Sequence, residues 1–242
     1  TQFRTSDALR SLSDNNNNDT RTLAAHLPKR AVPKHSIILP NSPSIICRGF
    51  LMYMTTGTRL TLPIELWQAL LLYRYRVFVE KLGWHLDCAI GEELDQFDRD
   101  DTVYVIAHQG PRIVGVARLL PTHKPYLLGE VFPQVIGGQA LPHSADIWEI
   151  SRFAAVDLQQ QTFTGHSLSS PNAVALLHEV LKVAARHEVR QLITVSPPGI
   201  ARLLRKAGFD AHCEGKLTVI DGHKIMANWI RVPPSLVDRA VA

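Results

Sequence analysis

Apolar residues along the chain follow two rhythms, and each change of rhythm predicts a change of element. From 61 to 82 the residues Ile64, Trp67, Leu71, Tyr75, Phe78 and Leu82 recur at steps of three and four. That spacing predicts one amphipathic helix. Thr61 stands where an N-cap would, and Pro63 falls in the first turn, where its missing N–H costs nothing. Gly83 marks the end. From 102 the rhythm shortens. TVYVIAHQ and RIVGVARLL flank Gly110-Pro111, which predicts a hairpin, and IWEISRFAAV reads as a third strand. The connection before that strand, KPYLLGEVFPQVIGGQALPHSAD, has room for one short helix.

The last third alternates. AVALLHEVLKVAARHE predicts a helix over about 172–188, RQLITVS a strand, and GIARLLRKAG a helix ending at Gly208. KLTVI and KIMANWIRV are strands joined at Asp221-Gly222, a favoured two-residue turn. Three strands, then helix, strand, helix and hairpin, make an α/β domain with a mixed central sheet flanked by helices. Residues 1–52 break the pattern. SLSDNNNNDT is polar and of low complexity, and KRAVPKHSIILPNSPS is rich in proline and serine. Such segments bury too little apolar surface to offset chain entropy. The expectation is a flexible N-terminal extension over 1–52 and a single folded domain over 53–242. Met52 and Met54 stand at that boundary, where a shorter chain could also begin.

Composition excludes more than it identifies. At 242 residues and 45% hydrophobic content, the chain can build one large core. A net charge of +4, spread along the sequence, gives no nucleic-acid footprint and suits an acidic protein partner. Cys47, Cys88 and Cys213 are sparse and irregular, which reads as reduced thiols and a cytoplasmic location. No apolar run approaches the roughly 18 residues of a membrane helix, and no signal-peptide pattern opens the chain. His85-x-x-Cys88 and His212-Cys213 lack the spacing of a zinc site, so no metal is expected. Neither a nucleotide-binding glycine fingerprint nor a nucleophile elbow is present.

Charge in unusual places then sharpens the picture. Arg74 lies one turn before Phe78 beside an apolar stripe, where it either snorkels or pairs with an acid. Trp84 follows Gly83, and the loop GEELDQFDRDD carries Asp95 and Asp98. Read singly, Phe78 is a core residue and the acidic loop a solvated surface. Arg118 alternates in phase with Val114 and Val116, which points to a cleft rather than a plain core face. In IWEISRF, Glu149 and Ser151 face one way, and Ile150 and Arg152 the other unless a bulge intervenes.

Taken together, Arg74-x-x-x-Phe78, Trp84, Asp95, Asp98, Arg118 and Glu149-x-x-Arg152 resemble the signature of the acyl-homoserine-lactone synthases, the autoinducer synthases of bacterial quorum sensing. The flanking text fits as well: VF-x-x-x-LGW, DQFD, RLLPT and WEISRF. The resemblance covers about 53–231. It implies a fold like that of the N-acetyltransferase superfamily. It implies two substrates, S-adenosylmethionine and an acyl chain on acyl carrier protein, with no cofactor and no metal. Glu149 would be the base that takes a proton from the amine, with Arg118 and Arg152 beside it in the catalytic set. Arg74, Phe78, Trp84, Asp95, Asp98 and Ser151 would bind S-adenosylmethionine, with Arg74 or Arg118 on its carboxylate and the rings on adenine or sulfonium. Thr194 matches the place linked in the family to 3-oxo chains. Arg202, Arg205 and Lys206 on the predicted helix GIARLLRKAG would dock the acidic carrier. Two other classes share such a fold, an acyl-CoA-dependent N-acyltransferase and a non-catalytic sensor. The glycine-rich pyrophosphate loop of the first is not evident.

Overall fold

The computed structural model describes residues 45–47, 50–159, 170–220 and 222–241. Among the described residues, eight strands form one mixed sheet: β1 (Ile45–Cys47), β2 (Phe50–Gly57), β3 (Val103–Gln109), β4 (Arg112–Pro121), β5 (Ile147–Ala154), β6 (Gln191–Ser196), β7 (Ala211–Ile220) and β8 (His223–Arg231). Their order is β1-β2-β3-β4-β5-β6-β8-β7. The sheet therefore begins earlier than the composition suggests. β2 pairs with β3 from Met52↔Gln109 to Gly57↔Tyr104, and Met52 is buried, so the boundary expected at residue 52 falls inside a strand. The short apolar run FLMYM supplies that strand, masked in the sequence by its proline- and serine-rich approach.

All neighbouring strands are antiparallel except β5 and β6, which are parallel. That parallel ladder is short: Ile147↔Gln191, Trp148↔Leu192 and Glu149↔Ile193. Beyond Glu149 the two strands part. β6 runs on beside β8 to Ser196↔Met226, while β5 runs on beside β4 to Ala154. The sheet is thus split from Glu149 outward, with one strand on each side of the opening.

Helices cover both faces. α3 (Pro171–Arg186), α4 (Ile200–Lys206) and α5 (Pro234–Val241) lie on one face, over Val105, Ala117, Leu119, Ile150, Leu192 and Ile230. Ser170 caps α3, its hydroxyl accepting from the Ala173 N–H at 3.1 Å. The other face carries α1 (Ile64–Arg74) over Tyr104, Ile106 and Val116, and α2 (Leu127–Val131) with a 3₁₀ turn (Pro133–Ile136) over Leu120, Ile193 and Ala227. The long connection therefore holds two short helical pieces where one was expected. No helix among the described residues is long and apolar enough to cross a membrane.

The predicted helix over 61–82 is two elements. Pro63 precedes the first helical residue, and Thr61 does not cap it; its hydroxyl instead accepts from the Thr58 N–H in the turn before. After Arg74 the winding loosens into a π-helix (Tyr75–Lys81). It closes with Leu82 N–H donating to the Val77 carbonyl and Trp84 N–H to that of Phe78, with Gly83 in the left-handed region at φ 66°. β7 is longer than KLTVI because a bulge between Glu214 and Thr218 carries the pairing on to Ala211.

That bulge rests on a close approach. Gly215 has φ 93°, and a Cβ there would stand 2.2 Å from the Val135 carbonyl oxygen. Gly138 has a similar φ of 87° with nothing within 4 Å. Gly138→Ala is expected to cost only the backbone strain, about 1 kcal/mol. Gly215→Ala adds a clash with backbone and is expected to cost at least about 2 kcal/mol more, read as the difference in urea unfolding free energy.

Candidate functional site

Four segments of the α1 face converge on a cluster of charge. The end of α1 supplies Arg74, the loop 83–102 supplies Glu93, Asp95 and Asp98, β4 supplies Arg118, and β5 supplies Arg152. Arg74 and Arg118 are 0% exposed and Glu93 is 1% exposed. Charges this deep need partners, because desolvation costs several kcal/mol per ion. The partners form a closed ring of alternating sign. Arg118 contacts Asp98 at 3.1 Å, Asp98 contacts Arg74 at 2.7 Å, and Arg74 contacts Glu93 at 2.6 Å. Glu93 contacts Arg152 at 3.0 Å, Arg152 contacts Asp95 at 2.9 Å, and Asp95 returns to Arg118 at 2.6 Å.

Local backbone structure holds the acids in place. Asp98 Oδ2 accepts the Asp95 N–H at 2.7 Å, and Asp95 Oδ1 accepts the Phe97 N–H at 2.8 Å. Tyr104 donates its hydroxyl to Asp98 Oδ1 at 2.6 Å. On β5 a bulge changes the facing expected for Arg152. Arg118 pairs with Ser151 but Val116 pairs with Ala154, which leaves an extra residue between them. Arg152 takes φ 48°, uncommon for a side chain of this size, and so reaches the same face as Ser151. A register shift between Ala107 and His108 likewise turns Val114 to the α3 face, while Val116 stays on the face of Arg118.

Aromatic rings and free donors complete the site. Phe78 and Trp84 stand 4.9 Å apart, and the Arg152 guanidinium lies over both, at 5.6 and 5.5 Å. Arg118 Nε donates to Ser151 Oγ at 3.0 Å. Arg74 commits Nε to Glu93 and both terminal nitrogens to Asp98. Arg118 differs: its Nη2 is buried with no hydrogen-bond partner among the described residues, and so is the Trp84 indole nitrogen. A buried donor of this kind can be satisfied by another molecule.

Glu149 stands outside the ring. It is 1% exposed and receives the N–H groups of Leu127 at 2.7 Å and Leu128 at 2.9 Å, at the start of α2. Burial pushes its carboxyl up to about 7, against the pull of those N–H groups and of Arg118. Glu93 goes the other way. Burial raises it, but Arg152 and Arg74 outweigh burial and hold it at about 2. Asp98 is held well below the carboxylate range by Arg74 and Arg118, against its own burial.

The structure brings Arg74, Phe78, Trp84, Asp95, Asp98, Arg118, Ser151 and Arg152 together, with Glu149 two residues before Ser151 on the same face. Thr194 lies on the α3 face of β6, one residue past the parting of β5 and β6. Arg202, Arg205 and Lys206 are exposed on α4, apart from the ring, and Arg205 Nη1 also donates to the Ala211 carbonyl at 2.7 Å. Two members were missed from sequence, Glu93 and Tyr104. The signal for Glu93 is a period of two: Glu93, Asp95 and Phe97 point inward while Glu92, Leu94 and Gln96 point out.

The sign of the pH dependence follows from Glu93. Its folded value lies below the ordinary 4.5, so its contribution is present above pH 4.5 and is lost as pH falls toward 2. About 3 kcal/mol of stability is expected to disappear across that window, measured by urea titration at stepped pH. In Glu93→Gln the acid-dependent loss should shrink by that amount, with the part carried by Asp98 remaining, and stability at pH 7 should be lower by about 3–5 kcal/mol.

Residues 64–236 match the family model described as autoinducer synthase. An acyl-homoserine-lactone synthase of Acinetobacter nosocomialis is 52% identical over 162 residues, covering 66% of this chain and 88% of that protein. Among solved structures, TofI in a ternary complex with an inhibitor and MTA superposes with a TM-score of 0.64 at 39% identity, over 76% of this chain and 96% of that one. BjaI, a CoA-dependent acyl-homoserine lactone synthase with SAM and isopentyl-CoA, gives a TM-score of 0.65 at 25% identity, over 79% and 88%. A putative N-acetyltransferase from Lactobacillus plantarum shares the fold alone, at 15% identity and a TM-score of 0.50 over 75% and 99%. The chain belongs to the autoinducer synthase family, the acyltransferases that make acyl-homoserine lactones.

Proposed function

We propose that this synthase joins S-adenosylmethionine to an acyl chain delivered on acyl carrier protein, in the cytoplasm, and releases an acyl-homoserine lactone, methylthioadenosine and the free carrier. The observation that carries the reading is Glu149. It sits at the point where β5 and β6 part, with a carboxyl poised near pH 7 and Arg118 in reach of its field. A base of that strength is matched to an amine at neutral pH. Each of its oxygens already accepts one N–H and keeps a second lone pair for a proton, received directly or through a water.

The two bond changes follow. Glu149 takes a proton from the ammonium, and the freed lone pair attacks the thioester carbonyl. The carbon–sulfur bond breaks and the thiolate leaves with a proton. The carboxylate of the same substrate then attacks its γ-carbon, and the second carbon–sulfur bond breaks toward the sulfonium, so methylthioadenosine departs uncharged. No step needs a metal or cofactor. Arg118 is the better carboxylate receptor, because its Nη2 is free while every nitrogen of Arg74 is engaged. Arg74 is thereby assigned to holding Glu93 and Asp98. Phe78 and Trp84 offer faces for the adenine or the sulfonium. The MTA and SAM complexes of TofI and BjaI support this reading.

The carrier reading rests on α4, where Arg202 and Lys206 stand exposed on one helix face near Arg205. CoA is the second reading, favoured by the likeness to CoA-dependent BjaI. Mass spectrometry of products from matched acyl-carrier and acyl-CoA donors decides between them; product from neither donor would overturn the synthase chemistry. Arg202→Glu with Lys206→Glu should raise KM for the acyl carrier about tenfold at low salt and leave that for S-adenosylmethionine unchanged. Glu149→Gln should lower kcat/KM by about 10²–10⁴, and the rise in wild-type rate through about pH 7 should vanish with it.

A further inference from the structure

Outside the ring, one arginine joins two loops that are separate in the chain. Arg99 stands near the end of the acidic loop, in a tight turn. Its N–H donates to Thr102 Oγ1 at 3.1 Å, and the Thr102 N–H donates back to the Arg99 carbonyl at 3.1 Å. The Thr102 hydroxyl donates to the Phe97 carbonyl at 2.7 Å. The turn therefore fixes the direction of the side chain. Arg99 Nη1 donates to the Pro125 carbonyl at 2.5 Å, and Nε donates to Asp101 Oδ1 at 3.0 Å. Lys124 Nζ, beside Pro125, lies 3.0 Å from Asp101 Oδ2. The two loops are thus clasped twice, once by each cation.

As stability the clasp adds little, because all three side chains are partly exposed. Its place gives it a use. The Pro125 ring fixes φ, so little rotation is free between its carbonyl and the residues that follow. Tyr126 comes next, tied by its hydroxyl to the Pro142 carbonyl at 2.9 Å. Then come Leu127 and Leu128, whose N–H groups donate to the two oxygens of Glu149 at 2.7 and 2.9 Å. Such bonds favour the charged carboxylate and weaken steeply when misaligned. Other charge reaches Glu149 from Arg118 on β4 and Arg152 on β5, and the Tyr126 phenol lies near it in the same connection. Its neighbours in the sheet, Leu120 and Ile193, carry none. The two arginines are held by Glu93, Asp95 and Asp98, and Asp98 has Arg74 and Tyr104 as further partners. What Arg99 reaches is the pair of N–H groups.

We propose that Arg99 is a positioning residue for the acyl-transfer site: by holding the Pro125 carbonyl, it keeps the Leu127 and Leu128 N–H groups on the Glu149 carboxylate. The acidic loop then serves Glu149 as well as the ring, through a contact on its far end. This rests on the reading of Glu149 as the base and adds a residue that sets its proton affinity. The sign is fixed. Both N–H groups pull the carboxyl down against burial, which leaves it at about 7. Once slackened they pull less, and the carboxyl rises.

The test reads Glu149 with and without turnover. Its titration is followed by the carboxyl stretch in the infrared difference between each protein and the same protein carrying Glu149→Gln, and kcat is measured over the same pH range. Arg99→Ala should raise the midpoint by about one pH unit, and the rising limb of kcat should move with it, so that turnover lost at pH 7 returns above about pH 8. Arg99→Lys, which can still donate to the carbonyl, should stay near wild type. Asp101→Ala separates placement from charge. Through the field alone, loss of a cation raises a carboxyl midpoint and loss of an anion lowers it. Loss of the clasp raises it in both variants. A midpoint unmoved in either alanine variant, or lowered in Asp101→Ala, overturns the proposal. A midpoint that rises in both while the rate profile stays in place would strike Glu149 as the base instead, and would leave Arg99 as the residue that positions its partners.

Discussion

A closed ring of six charges governs the α1 face of this protein. Arg74, Glu93, Arg152, Asp95, Arg118 and Asp98 alternate in sign, so every ion has an opposite neighbour on each side. An open chain of buried ions has two ends, and each end is an underpaired charge in a poor dielectric. Closure removes the ends. The same ring ties α1, the acidic loop, β4 and β5 into one unit, so assembly of this face and neutralisation of its charges are a single event. Such a ring gives less stability than an apolar core of the same volume would. What it provides is placement, because each guanidinium is held by two partners at once.

The ring also explains how one site keeps carboxylates of opposite character. Glu93 lies between two arginines and stays ionised, at about 2. Glu149 has two backbone N–H groups and only the distant field of Arg118 and Arg152 against full burial, and it rests near 7. Environment alone separates a structural anion from a group able to exchange protons near neutrality. The split of the sheet places the second kind at its opening.

Much of this was legible in the sequence because it obeys periodicity. The strand run of RIVGVARLL, the α3 stripe and the hairpin at Asp221-Gly222 follow simple rules, and the structure has them. What escaped was set by tertiary partners. Glu93 looked like one more surface acid, since nothing local says that two arginines from distant segments will meet it. Arg152 was set to face away from Ser151 unless a bulge intervened, and only pairing with β4 creates that bulge. β2 was hidden because its burial depends on β3, fifty residues on. The change of winding after Arg74 leaves the apolar stripe almost unaltered and so gave no warning.

That change of winding fixes a distance in an unusual currency. Arg74 ends the α-helical part, and Phe78 and Trp84 are presented by the π-helical part and its closing turn. A π turn takes one more residue than an α turn to come around. The interval from the ring arginine to the two rings is therefore counted in turns as well as in residues. Substitutions on the outer side of Tyr75–Lys81 leave that count alone. A single-residue deletion would let the segment rewind as α-helix and rotate everything after it, carrying the rings away from Arg152 with each side chain intact. Away from Phe78, the site is thus more sensitive to a change in length here than to a change in identity.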